Sequence, residues 1–329
     1  MSRRLPTLGL LVGLAAAVAF VVYAVRTLQA QDLAQFTRPV AMVGVAIATL
    51  LYAGIIPVSA LAWRRILSDL GFTRSWRELG IIMSTTQIAK YLPGNVGHHL
   101  GRGAMAVARG IPLGPFVVSV GVESVVAVLA GVGVGTAAAC LSTSGSQLLH
   151  GESTAVIAAA AMLAAGLIVA LLAGPRVVGL LLNHFKPEDA DRLPVTIFPG
   201  ASAMAMAFLA YVANFALIGA GASAMAAMLL PDTPVDAMLL MGSFALAWVV
   251  GFFTPGAPAG LGVREGVMLA LLTTAYTTAD ALLIIIGLRL ATTAGDALCF
   301  LGGSVLALNE GRTAGRWSHA ESSNGDHDA

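Results

Sequence analysis

Gln87-Ile88-Ala89-Lys90-Tyr91-Leu92-Pro93-Gly94-Asn95-Val96-Gly97-His98-His99-Leu100-Gly101-Arg102 reads as a helix that is stopped and restarted. The surrounding residues, 79–109, are apolar enough for a bilayer, but Pro93-Gly94 falls near their middle. Proline removes a backbone donor and clashes with the preceding turn, so one straight helix is excluded. Hydrocarbon cannot bond the freed N–H and C=O groups, and such a break is tolerated only where it is buried in protein or lines a cavity. A re-entrant helical hairpin is therefore expected. The pattern returns at Phe252-Phe253-Thr254-Pro255-Gly256-Ala257-Pro258-Ala259-Gly260-Leu261-Gly262-Val263-Arg264-Glu265, within the membrane-like segment 237–275. Both copies place Pro-Gly, a glycine-rich turn, and then an arginine nine residues after the proline: Arg102 after Pro93, Arg264 after Pro255. Each hairpin precedes a long apolar helix carrying charge at membrane depth, Glu123 in the first and Arg289 with Asp296 in the second. The units 79–139 and 237–308 form an internal repeat.

The rest of the chain is equally apolar. Of 329 residues, 57% are hydrophobic and 11% charged, with mean hydropathy +0.85; a soluble domain carries about 25% charged residues. Crossing a hydrocarbon core takes about 20 helical residues. Suitable runs lie at 8–25, 40–62, 115–139, 153–173, 200–229 and 281–308. The expected fold is an all-α polytopic membrane protein with about six spanning helices and two broken hairpins, filling residues 1–317. The run at 8–25 is longer than the roughly 7 to 15 apolar residues of a signal peptide and reads as an uncleaved first helix. Arg3 and Arg4, and the segment 63–78 with Arg64, Arg65, Arg74 and Arg77, mark cytoplasmic ends by the positive-inside rule. Counting onward places both termini in the cytoplasm, opens the first hairpin to the cytoplasm and the second to the outside. The polar tail 318–329 is expected to be disordered.

Opposed hairpins make the repeat inverted, and inverted repeats with broken helices meeting near the midplane build many secondary transporters. The motifs also carry a family resemblance. Tyr91-Leu92-Pro93-Gly94 with Gly97 and Arg102, followed by Thr254-Pro255-Gly256 with Gly260-Leu261-Gly262 and Arg264-Glu265, is similar to the transmembrane domain of lysylphosphatidylglycerol synthases. That family includes stand-alone members without the cytosolic aminoacyl-transfer domain. The likeness covers about residues 50–308, with Glu123 and Arg289 in the helices that follow the motifs. Glu123-Ser124 departs from it, since Glu-Arg is expected there. The resemblance implies a flippase-like or lipid-handling protein of the bacterial cytoplasmic membrane, with a membrane lipid as partner. It also admits an envelope-biosynthesis enzyme as a partner.

Placing a charge at the bilayer centre costs at least about 2.5 kcal/mol, so intramembrane charges are the first functional candidates. Arg102 and Arg264 follow the breaks, where half-helix N–H groups also favour anions. Their planar guanidinium groups suit a phosphate. Lys90, Tyr91, Asn95 and Glu265 complete the expected lipid-binding set around the turn residues Pro93, Gly94, Gly97, Pro255, Gly256, Gly260 and Gly262. The competing reading is structural: Lys90 and Tyr91 as interfacial anchors, and each arginine paired to an acid, with Glu265 at hand for Arg264. Glu123, Arg289 and Asp296 are candidates for an intramembrane charge network, either locking helices or taking up protons. Gly131, Gly133, Gly135, Gly219 and Gly221 read as close-packing positions, and Asn214 as an interhelical hydrogen bond. Cys140 and Cys299 read as small core residues. Adjacent His98 and His99 are expected on different faces of a helix, so neither a metal nor another cofactor is expected. A net charge of +1 without a basic face speaks against nucleic acid. With no nucleophile elbow and no nucleotide loop, an enzyme is not expected. Two functions stay open: a transporter of an anionic phospholipid or polyprenyl-phosphate-linked lipid, and a non-transporting scaffold for an envelope lipid-modifying enzyme or glycosyltransferase.

Overall fold

The computed structural model describes residues 15, 18–91, 97–142, 165, 198–254 and 258–325. Regular structure among these residues is helical throughout. Helix α1 is Val18–Thr27 and α2 is Ala30–Ala34. Helices α3 (Pro39–Ala53) and α4 (Ile55–Asp69) join at Gly54 into one span. Helix α5 (Trp76–Thr86) tightens into a 3₁₀ turn, Gln87–Tyr91, before the first break. Beyond it come α6 (Gly97–Ala108) and α7 (Leu113–Leu141). Helix α8 is Ala201–Leu229 and α9 is Ala237–Phe253. A 3₁₀ turn, Pro258–Gly260, follows the second break and leads into α10 (Val263–Leu272) and α11 (Thr278–Gly325).

Sequence signals fix several of these ends. Pro39 opens α3, where its missing N–H costs nothing. Ser75 and Asp236 cap α5 and α9, each side chain accepting from the backbone N–H three residues on. Four described helical segments are long and apolar enough to cross a membrane: Pro39–Asp69, Leu113–Leu141, Ala201–Leu229 and Thr278–Asn309. They correspond to the expected spans at 40–62, 115–139, 200–229 and 281–308. The expected spans at 8–25, for the most part, and 153–173 lie outside the described residues, as do Pro93, Gly94, Asn95, Pro255 and Gly256.

Two expectations are corrected. The span expected to end at 62 continues to Asp69, leaving only residues 70–75 as connection to α5. Within α4, Ile56, Ala60, Trp63 and Leu67 recur at helical spacing and are buried, so Arg64 and Arg65 sit on a helix and not in a loop. Helix α11 is assigned through Gly325, into the polar tail that begins at 318. Cys140 is exposed and Cys299 partly buried, not core residues. In a bilayer an apolar surface can face lipid as readily as protein.

The two repeat units interlock. Helix α5, the first arm of unit one, packs on α11 of unit two, and α9, the first arm of unit two, packs on α7 of unit one. The 3₁₀ turns beside the breaks touch each other. Helix α8 lies among α3, α4, α7 and α9 and holds the two units together. Small residues set these approaches: Gly135 lies against Leu246, Gly242 against Ala138, Gly131 against Val249 and Phe215, Gly219 against Met241, and Gly221 against Ala48. Gly133 is looser, with Phe208 at ordinary van der Waals distance.

Candidate functional site

The second break ends in left-handed backbone. Ala259, Gly260 and Gly262 have φ of 50°, 70° and 80°, a region open to glycine at little cost. Gly260 serves a second purpose with Gly251 on α9. A Cβ on Gly251 would stand 2.7 Å from Arg264 Cγ, and one on Gly260 would stand 2.8 Å from Arg264 Nε. The stem of Arg264 thus threads between two glycines.

Three ion pairs surround the breaks. On α6, Arg102 donates to Glu123 of α7 at 2.7 Å, and both are nearly inaccessible, 5% and 4% exposed. The Tyr211 hydroxyl donates to the other Glu123 oxygen, and the Arg102 guanidinium lies 4.1 Å from the centre of the Trp63 ring. Trp63 is fixed in turn by its indole N–H, which donates to Ser119. Asn214 donates to Ser59 at 2.8 Å, the interhelical bond expected of it.

The second pair crosses between the units. Asp296 on α11, 1% exposed, accepts four hydrogen bonds. Lys90 (2.7 Å), Tyr52 (3.0 Å) and Gln87 (3.1 Å) donate to one carboxylate oxygen, and Tyr91 (2.6 Å) donates to the other. Lys90 also donates to the Tyr52 hydroxyl. The third pair joins Arg289 on α11 to Glu265 on α10, where Glu265 is 3% exposed. Pairs one and three occupy matching places in the repeat, half-helix to following helix, with the signs exchanged.

The expected trio of Glu123, Arg289 and Asp296 therefore does not pair within itself; each takes a partner from a broken segment. Glu265, expected as a partner for Arg264, is bound to Arg289 instead. Arg264 has no ion pair or hydrogen bond among the described residues, and its Nε is buried. Three cations are matched by three carboxylates, and the charge of Arg264 is left over.

A cavity of about 190 Å³ lies between the two breaks. Its walls carry Lys90, Arg102, Glu123, Tyr211, Asn214 and Arg264, closed on the apolar side by Phe244, Trp248 and Phe252. Arg264 also reaches a smaller space of about 30 Å³ lined by Tyr91, Glu265, Arg289 and Asp296. The site therefore brings together Lys90, Tyr91, Arg102, Arg264 and Glu265 from the sequence-derived set, with Gly260 shaping it. Gly97 starts α6 beside it. His98 and His99 depart from expectation: their rings lie side by side, 3.9 Å between centroids, and both line the cavity. They occupy the first turn of α6, and both ring Nδ1 atoms are without a partner among the described residues.

Sequence reasoning missed Tyr52, Gln87, Trp63 and Tyr211. The available signal was a polar-tipped aromatic inside an apolar run, since a buried hydroxyl or indole N–H needs a partner. A search among curated proteins returns no match to the chain. The family described as the lysylphosphatidylglycerol synthase TM region matches residues 10–298, nearly the whole membrane-spanning part, and the chain belongs to that family.

Proposed function

We propose that the protein is a lipid carrier and not an enzyme, moving an anionic phospholipid or polyprenyl-phosphate-linked lipid between leaflets of the bacterial cytoplasmic membrane. The observation that carries this reading is Arg264, a cation without a counterion among the described residues, facing a cavity whose walls come from both repeat units. A buried guanidinium left unpaired is costly, and a phosphate supplies both the charge and the paired acceptors that it lacks. Arg102 is already neutralised by Glu123, so its part is to hold α6 against α7, and Arg264 takes the headgroup. Lys90 borders the same cavity and Tyr91 the smaller space beside it, both tied to Asp296, and the re-entrant hairpins tilt against each other as the lipid passes. The scaffold reading gains nothing from such a cavity, since a docking subunit is served by packed hairpins.

Purified protein in liposomes carrying fluorescent phosphatidylglycerol is the test, with dithionite reporting the fraction of probe in the outer leaflet. Wild-type protein is expected to move the probe faster than protein-free liposomes, and Arg264→Gln to slow it at least tenfold. A folded Arg264→Gln variant at the wild-type rate overturns the site. Wild-type protein that moves neither phosphatidylglycerol nor a polyprenyl phosphate overturns the transport reading.

A further inference from the structure

Beside the polar cavity, α6 and α7 enclose an apolar groove of about 710 Å³, within the usual ligand-pocket range of about 300–1,000 Å³. Leu100, Ala104, Val107, Val117 and Gly121 form its walls. It runs from Val107 and Leu113, which flank the turn between the two helices, inward to His99 and Ser124. The glycines at the helix contacts described above bring helices together, but Gly121, like Gly114, Gly266 and Gly302, has nothing within 4 Å of where a side chain would begin, and of these four Gly121 is the one that lines the groove. Glycine here leaves space open. His99, Ser124 and Phe252 belong to the walls of the groove and of the polar cavity alike, so the two spaces adjoin.

We infer that this groove seats a hydrocarbon chain of the same lipid whose headgroup occupies the polar cavity, so that the substrate is loaded sideways between α6 and α7 with its chain never leaving an apolar surface. This rests on the lipid-carrier reading. The occupant follows from the junction: an apolar recess meeting a chamber with one surplus positive charge matches a molecule with an anionic end and an apolar end. A water-soluble anion would fit only the chamber. Phe252, stacked on Trp248, is one of the three residues shared by the two spaces.

The test uses full-length protein in vesicles of one fixed composition. A trace of phosphatidylglycerol, or of phosphatidylcholine, carries a photoreactive diazirine on the chain. Cross-links are mapped by mass spectrometry at Leu100 and Val117 in the groove region and at the exposed Leu209 of α8 as the reference for ordinary lipid contact. The expected groove-to-reference ratio is at least fivefold higher for the phosphatidylglycerol probe and falls to the phosphatidylcholine value in Arg264→Gln. Gly121→Trp, which fills open space, is expected to abolish the preference and slow lipid movement at least tenfold. Equal ratios for the two probes, or a folded Gly121→Trp at the wild-type rate, overturn the groove. If wild-type protein moves lipid while the ratios are equal, only the groove fails. If no lipid moves yet the preference is present, the groove stands and the transport reading fails.

Discussion

Arg102 and Arg264 occupy the same place in the repeat and are in opposite states, one paired and one not. The difference is a single residue on the following helix, where Glu123 meets Arg102 whereas Arg289 draws Glu265 away. Removing one member of a buried pair strands the other, so Glu123→Ala is expected to cost about 3–5 kcal/mol, and Arg102→Met with Glu123→Leu far less. Thermal unfolding in detergent measures both, and a double variant as unstable as the single one would refute a purely structural pair. The sequence alone marked every one of these charges, because each interrupts an apolar run. It did not reveal the partners. Lys90 and Asp296 meet across 206 positions, and such a contact depends on the register of whole helices.

At the scale of elements, the breaks were legible and their steering was not. Pro-Gly within a long apolar stretch announces a stop regardless of context. The role of Gly251 could not be read, since a glycine in an apolar helix has the same appearance whether it receives another helix or an arginine stem. Here it receives Arg264 Cγ. A larger residue closes that side while Gly260 holds the other, so Gly251→Val is expected to turn the guanidinium out of the cavity. Lipid movement should then fall about as far as in Arg264→Gln, with helix content by circular dichroism unchanged. Gly251→Val at the wild-type rate would show that α9 does not aim Arg264. Helix ends were less legible for a related reason: α4 carries arginines along its outer face, and charge counting assigned those turns to a loop.

For the whole molecule, the first arm of each repeat unit packs on the long helix of the other, so a tilt of either arm is expected to move that helix as well. Asp296 concentrates that coupling, because Lys90, Gln87 and Tyr91 beside the first break all converge on a helix of the second unit. Asp296→Asn keeps the size of the side chain but removes the charge that balances Lys90, and is expected to loosen the contact between the two breaks. Spin labels at Leu100 on α6 and at Leu261, just after the second break, both exposed, report that separation. The distance distribution should broaden in Asp296→Asn, and adding Lys90→Met should narrow it again by removing the stranded ammonium. An unchanged distribution in Asp296→Asn would mean that the interlocked arms alone hold the units together. Broadening that Lys90→Met fails to reverse would assign the tether to the tyrosine and glutamine bonds, not to the ion pair.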